Sequence, residues 1–276
     1  MGIERKVSVI SSARNFFPKG AFFYSTRQIA ELAKEVDYEG IEFFPTWRVC
    51  WEVARYGKLL AQDSFVASLH RDWRFDRVME ARLKGKPDWR FQLREKADRL
   101  FPPSEITLKV LQKLELRYHV PVSTSWFSDT KNFSPVMLEL WSPDQGIDYN
   151  NLLIWLNGDP KGRGVVLDTA KFTSWLKENR IENQKVKVFK NLLPQIYEVH
   201  YRSKKENLIK SMNLRGELRD DSEDNLKFFL GNGFSGRIVV EFGWPDLDKA
   251  PFGLLKEDLP AFIKLHKDII SFIKGL

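Results

Sequence analysis

Hydrophobic residues along the chain follow two patterns, short β-rich runs and longer stretches with helical spacing. The segment GVVLD (164–168) is a short run of Val and Leu next to glycine, which is typical of a buried parallel strand. The segment TRQIAELAKEV (26–36) instead places Ile29, Ala33 and Val36 on one face of a helix. Runs of the first kind are therefore predicted to be strands, and stretches of the second kind helices.

Eight strands are predicted in this way, most of them alternating with helical stretches. They are KVSVI (6–10), GIEFF (40–44), FVASLH (65–70), VPVSTSW (120–126), PVMLELW (135–141), GVVLD (164–168), QIYEVHY (195–201) and GRIVVEF (236–242). Such alternation favours parallel βαβ units, and eight units in about 250 residues is the size of a TIM barrel. An open doubly wound sheet is the alternative, but no glycine-rich dinucleotide fingerprint follows the first strand. We therefore predict an α/β protein with a (β/α)8 TIM barrel.

One domain is predicted for residues 1–276, because no low-complexity segment and no Pro/Gly-rich linker divides the chain. Residues 71–107, between the third and fourth predicted strands, are irregular and rich in charge. We interpret this stretch as a solvated helical excursion. A lid or phosphate-facing loop over the barrel mouth is the alternative.

Composition and charge narrow the function classes only slightly. The balance of 44 Lys+Arg against 37 Asp+Glu gives a net charge of +7, which is compatible with phosphorylated substrates or nucleic acid and proves neither. The single cysteine, Cys50, excludes an internal disulfide and a multi-cysteine metal site. No apolar stretch reaches the length of a membrane span, and MGIERKVSVISS lacks the apolar core of a signal peptide. A cytoplasmic location without a membrane partner is expected.

The candidate metal-binding residues stand at the ends of the last four predicted strands. They are Glu139, Asp168, His200 and Glu241. In a barrel the C-terminal ends of the strands converge on one face. Three neighbouring carboxylates raise one another's pKa and cannot all stay ionised without a cation. This pattern predicts a divalent metal. Three oxygen ligands and one imidazole suit Mn²⁺, Mg²⁺ or Co²⁺, and Zn²⁺ also accepts such ligands.

At these residues the sequence resembles the xylose isomerase-like TIM barrels, which include sugar-phosphate isomerases/epimerases, D-tagatose 3-epimerase-type enzymes and AP endonucleases. GIEFF resembles the second strand of that family and SLH its third. LEL resembles the fifth strand with its metal-binding glutamate, LDTAK the LDTxH motif, and YEVHYR the seventh strand with its metal-binding histidine. By this resemblance Glu139, Asp168, His200 and Glu241 match the single metal site of the epimerase branch.

The resemblance implies a metal-dependent sugar or sugar-phosphate isomerase or epimerase that transfers a proton through an enediolate. Glu139 and Glu241 would be the proton-transferring pair as well as metal ligands, and Mn²⁺ is the first choice of ion. The residues expected to contact the substrate are His70, Lys171, Arg202, Glu42 and Trp126, although Glu42 could equally pair with a basic neighbour. Family members often form dimers or tetramers, so a homo-oligomer is compatible with the resemblance.

Two departures from the family pattern keep alternatives open. Lys171 stands where the LDTxH motif has histidine, so it could bind a phosphate or carboxylate, or neutralise Asp168 and replace the metal. In the second case the protein would be a non-catalytic barrel that binds a ligand or partner. Ser123 and Thr124 end the fourth strand where AP endonucleases have a metal-binding histidine. A three-zinc nuclease site, and with it nucleic acid as a partner, is therefore disfavoured.

Overall fold

Eight parallel strands close into a barrel in the computed structural model, which describes residues 7–12, 26–43, 66–71, 112, 121–124, 127–140, 147–202, 222–241 and 259–276. The strands are β1 (Ser8–Ser12), β2 (Ile41–Phe43), β3 (Val66–Arg71), β4 (Val122–Thr124), β5 (Val136–Leu140), β6 (Arg163–Asp168), β7 (Ile196–Arg202) and β8 (Arg237–Glu241). Each strand pairs with the next in the chain, and β1 pairs with β8. The predicted TIM barrel is confirmed.

Helices surround the barrel in the part of the chain that the structure describes. They are α1 (Thr26–Glu35), α2 (Tyr149–Gly158), α3 (Phe172–Glu178), α4 (Lys185–Leu192), α5 (Ser222–Gly231) and α6 (Leu259–Gly275). The predicted apolar stripe of α1 is confirmed, because Ile29, Ala33 and Val36 are buried. Asp148 starts α2 by accepting a hydrogen bond from the Asn151 N–H at 2.9 Å, which satisfies one of the free donors at the helix start.

One face of each strand packs against the helices, and the other face lines the interior of the barrel. On β5, Val136, Leu138 and Leu140 belong to the large apolar core that also includes the helices. Because successive side chains of a strand point to opposite faces, Glu139 lies on the inner face of β5. The same alternation directs polar side chains of the other strands into the barrel, where they form the site described below.

The excursion predicted over 71–107 lies outside the described residues from position 72 onward, and Trp126 lies outside them as well. The domain bounds and the nature of that segment stay predictions. Among the helices that the structure describes, none has both the length and the apolar character needed to cross a membrane.

The C-terminal helix α6 docks on the barrel through a fully buried histidine, His266. Burial lowers the pKa of His266 to about 3, so the ring is neutral near pH 7. Burial raises the pKa of Tyr38, so its hydroxyl keeps its proton, and this hydroxyl shares a hydrogen bond with Nδ1 of His266. This contact joins α6 to the segment between α1 and β2.

The neutral state of His266 predicts a loss of stability in mild acid. Its stabilising contribution is complete above the usual pKa of 6.5 and falls as the pH drops toward 3, because only the unfolded chain takes up the proton. Wild type should lose about 2 kcal/mol more than His266→Gln between about pH 7.5 and about pH 5. Urea unfolding of both proteins at the two pH values measures this difference. Equal losses would show that His266 accepts a proton without unfolding.

Candidate active site

The ends of the last four strands bring the four predicted metal ligands to the rim of the barrel. Glu139 is 8% exposed, Asp168 and His200 are fully buried, and Glu241 is 3% exposed. Asp168 lies opposite His200 in the pairing of β6 with β7. The convergence expected at this face is therefore present in the structure.

His200 lies between the two glutamates of the rim. Its Nδ1 is 3.8 Å from Oε1 of Glu139 and 3.8 Å from Oε1 of Glu241. Donors bound about 2.1 Å from one ion lie roughly 3–4 Å apart, so this spacing fits a shared cation. Among the described residues, Nδ1 of His200 is buried and has no hydrogen-bond partner. The donor chemistry and this unsatisfied nitrogen fit a divalent metal.

Arg202 places a guanidinium between two of the predicted ligands. Its Nη2 lies 3.0 Å from Oδ2 of Asp168 and 3.5 Å from Oε2 of Glu241, and its side chain is 19% exposed. The other oxygen of Asp168 accepts a hydrogen bond from the Ala170 N–H at 2.7 Å. Asp168 is thus held by Arg202 and by backbone. Both Glu139 and Glu241 lie next to Nδ1 of His200.

Lys171, the residue expected to compete with a metal, follows β6 at the start of α3. Its backbone N–H donates to the carbonyl of Asp168 at 3.0 Å, and its own carbonyl accepts the Trp175 N–H at 2.9 Å. Arg202 places a cation on Asp168, and the neutralising role expected of Lys171 stays a prediction. Contacts of Lys171 and of Arg202 with a substrate stay predictions.

A second polar layer lies on the inner side of His200. Oε1 of Glu42 is 3.3 Å from Nε2 of His200 and 3.3 Å from Nδ1 of His70. The Ser123 hydroxyl lies 2.7 Å from Nδ1 of His70 and donates to Oε1 of Glu42 at 3.3 Å. Within the described ranges, Glu42, His70 and His200 are the group whose donor atoms all lie within 4.8 Å of one another. This layer therefore offers a further set of metal-type donors.

His70 connects the inner layer to the rim. Its Nε2 lies 3.5 Å from Oε2 of Glu139, and its ring centroid is 5.5 Å from that of His200. Both imidazoles thus direct one nitrogen to Glu42 and the other to Glu139. The structure places His70 next to Glu139 and His200, and its contact with a substrate stays a prediction.

Glu198 is a buried member of the site that sequence reasoning missed. Its Oε1 lies 3.5 Å from Nε2 of His200, and Ser68 donates to its Oε2 at 3.1 Å. Burial raises the pKa of Glu198, His200 opposes this, and Glu42 adds to it. Because Glu198 precedes His200 by two positions on β7, strand alternation alone would have placed both side chains on the inner face.

The barrel interior holds five buried acids next to two histidines and Arg202. The acids with at most 8% exposure are Glu42, Glu139, Asp168, Glu198 and Glu241. Burial by itself would raise the pKa of Glu42, but the charges of His200 and His70 outweigh it and hold that pKa well below its usual value. The pKa of Asp168 is raised by burial and by Glu139 and Glu241, with Arg202 opposing. Such an excess of acids favours bound protons or a cation.

Known structures match the chain in fold. A putative xylose isomerase from Rhodospirillum rubrum has a TM-score of 0.55 and 10% identity, over 95% of this chain and 97% of that one. A D-allulose 3-epimerase from Methylomonas sp. has a TM-score of 0.53 and 14% identity, over 100% of this chain and 99% of that one. The same epimerase was also solved in complex with D-allulose.

A 3-keto-D-glucoside 4-epimerase from E. coli has a TM-score of 0.51 and 11% identity, over 98% of this chain and 100% of that one. No protein-family model matches the sequence, and no curated protein matches it. At these identities the matches show the fold. They confirm the expected resemblance to the xylose isomerase-like barrels at that level.

Proposed function

We propose that the protein is a metal-dependent sugar or sugar-phosphate isomerase or epimerase. The observation that carries the proposal is the placement of Nδ1 of His200 at 3.8 Å from Oε1 of both Glu139 and Glu241. Two of the matched structures are sugar epimerases, and one of these was solved with D-allulose. Their fold and this donor face together support a small sugar as the substrate class.

Glu139, His200 and Glu241 would hold the ion, with Oδ2 of Asp168 next to them. Carboxylate oxygens with one imidazole suit Mn²⁺ best, and Mg²⁺, Co²⁺ or Zn²⁺ are alternatives. When bound, the metal supplies Lewis-acid polarisation of a substrate carbonyl and hydroxyl. Arg202 would keep these two acids oriented through its contacts with Oδ2 of Asp168 and Oε2 of Glu241.

Glu139 and Glu241 would move the proton. One carboxylate removes the proton from the carbon next to the carbonyl, and the C–H electron pair moves into the enediolate. For epimerisation, the other glutamate, already protonated, returns a proton to the opposite face of the same carbon. For aldose–ketose isomerisation, the proton returns to the former carbonyl carbon, and the hydroxyl proton of the first carbon passes to the former carbonyl oxygen. Both reactions balance without an oxidant or reductant.

Substrate contacts would come from the remaining polar residues around the rim. His70 reaches Glu139 through Nε2 at 3.5 Å and would bind a substrate hydroxyl there. Lys171 and Arg202 would bind a phosphate or carboxylate, since a guanidinium and an ammonium both recognise such groups. Trp126 would form an aromatic wall for the sugar. Assembly into a homo-oligomer and a cytoplasmic location remain part of the proposal.

A non-catalytic barrel is the second candidate, and Arg202 is the observation that favours it. The guanidinium lies 3.0 Å from Asp168 and 3.5 Å from Glu241, where it neutralises charge that a metal would otherwise neutralise. In this case the interior acids form a structural ion-pair network. The nuclease alternative has less support, because β4 ends in Ser123 and Thr124 and the Ser123 hydroxyl contacts His70 and Glu42.

Metal content and solvent proton exchange test the proposed function. Protein reconstituted with Mn²⁺ should carry about one ion per chain, as one His-carboxylate site predicts. In D₂O it should introduce deuterium next to the carbonyl of at least one compound in a panel of ketoses and ketose phosphates, observed by NMR. The metal-free protein is the control. Protein that binds no metal after reconstitution would support the non-catalytic alternative, and bound metal without exchange on any compound would refute the isomerase or epimerase.

A further inference from the structure

Two imidazoles face one buried carboxylate on the inner side of the site. Glu42 is fully buried, and its Oε1 is 3.3 Å from His200 on one side and 3.3 Å from His70 on the other. Its Oε2 has no hydrogen-bond partner among the described residues. A buried carboxylate with little other hydrogen bonding is costly unless its charge is matched by nearby N–H groups.

The opposite nitrogens of the same rings face the rim. Nδ1 of His200 lies 3.8 Å from Glu139 and Glu241, and Nε2 of His70 lies 3.5 Å from Glu139. An imidazole that binds a metal through one nitrogen keeps its single proton on the other. For His200 that other nitrogen is Nε2, and the nearest described carboxylate oxygen to it is Oε1 of Glu42.

We propose that Glu42 is a positioning residue that holds His200 with Nδ1 toward the cation and His70 with Nε2 toward Glu139. This inference rests on the proposed metal site. Glu42 has no exposed surface and lies behind both rings, and the substrate contact expected of it stays a prediction. Carboxylates that hold metal-binding histidines in this way raise ligand basicity and restrict ring rotation.

Ser123 fixes the second ring of this arrangement. Its hydroxyl lies 2.7 Å from Nδ1 of His70 and donates to Oε1 of Glu42 at 3.3 Å. Two neighbours thus engage the same nitrogen of His70, so its Nε2 is the nitrogen left for Glu139 and the substrate. Glu42 therefore orients one ring that binds the cation and one that faces the reacting sugar.

Glu198 provides a matched control. It is also fully buried, and its Oε1 lies 3.5 Å from the same Nε2 of His200. Unlike Glu42, both of its oxygens accept a hydrogen bond from Ser68, at 3.4 and 3.1 Å. The same Glu-to-Gln change at the two positions therefore separates the role of Glu42 from a general effect of buried negative charge.

Cation affinity is the first readout, measured by calorimetric titration with Mn²⁺ alone. Glu42→Gln should bind Mn²⁺ about 10- to 100-fold more weakly than wild type, and Glu198→Gln should show a clearly smaller loss. In ¹⁵N NMR of the metal-free proteins at one pH, Glu42→Gln should shift the ring signals of both His70 and His200. Glu198→Gln should shift those of His200 alone. Unchanged affinity and unchanged ring signals in Glu42→Gln would overturn the assignment.

A measurement on wild type decides the question if Glu42→Gln does not fold. In the Zn²⁺-loaded protein, ¹⁵N–¹H correlations should place the His200 ring proton on Nε2 and the metal on Nδ1. A proton on Nδ1, or a chain that binds no divalent cation, would overturn the role of Glu42. None of these readouts uses a sugar. A protein that passes them and exchanges no substrate proton would therefore refute the proposed function and leave this assignment standing.

Discussion

Glu241→Gln should lower kcat roughly 100- to 10,000-fold, the range that a positioned proton-transfer group contributes. Glu241 is 3% exposed at the end of β8, with Oε1 3.8 Å from His200 and Oε2 3.5 Å from Arg202. Glutamine has nearly the same shape and keeps an oxygen for these neighbours, but it cannot accept a proton near pH 7. The expected loss therefore lies in kcat, with a smaller change in KM.

The measurement combines steady-state kinetics on the substrate found by proton exchange with metal content and circular dichroism of the variant. Glu198→Gln is the control, because it removes an equally buried charge that lies on the far side of His200 from the rim. An unchanged kcat in Glu241→Gln would remove this residue from the proton-transferring pair. An equal loss in both variants would indicate that interior charge in general, rather than a base at Glu241, supports turnover.

The barrel and the inward direction of its acids could be predicted because both depend on short-range patterns. GVVLD reads as a buried strand, and its last residue, Asp168, falls at the C-terminal end wherever the strand begins. Strand bounds were less predictable: the strand predicted over 40–44 covers Ile41–Phe43 among the described residues. A change in the first or last residue of a strand does not alter which of its side chains face inward, because they alternate with a period of two. The inward residues could therefore be predicted correctly.

Side-chain pairing across the barrel could not be predicted in the same way. Arg202 reaches Asp168 on the neighbouring strand through a register that shifts between Val165 and Val166, and no local pattern marks that irregularity. Lys171 was the natural candidate because it is near Asp168 in sequence. Arg202 is farther along the chain but shares the inner face of β7 with His200.

Glu42 illustrates the same limit for a residue whose strand was predicted correctly. Its position in GIEFF indicates an inward carboxylate, but contact with both His200 and His70 depends on β2, β3 and β7 meeting around the barrel axis. The β2–β3 pairing also carries a register shift between Ile41 and Glu42. Whether Glu42 lies at the barrel mouth or behind the histidines therefore depends on how the strands come together in the closed barrel.

Arg202→Ala should destabilise the cation-free protein by about 3–5 kcal/mol near pH 7, the usual cost of removing one partner from a buried ion pair. Asp168 is fully buried, and the guanidinium is 3.0 Å from its Oδ2, so the change removes the nearest described positive charge. Mn²⁺ should restore much of the lost stability, because an ion at the rim would replace that charge and binds the folded state. Urea unfolding with and without Mn²⁺ measures both effects.

Arg202→Lys is the matched control, since it keeps a positive charge near Asp168 and should lose less stability than Arg202→Ala. The response to Mn²⁺ separates the two candidate functions. If the rim binds a metal, Mn²⁺ should stabilise Arg202→Ala by more than wild type, because the competing charge between Asp168 and Glu241 is gone. If the rim is a structural ion-pair network, Arg202→Ala should be unstable with and without Mn²⁺, and the metal-dependent mechanism would then be wrong.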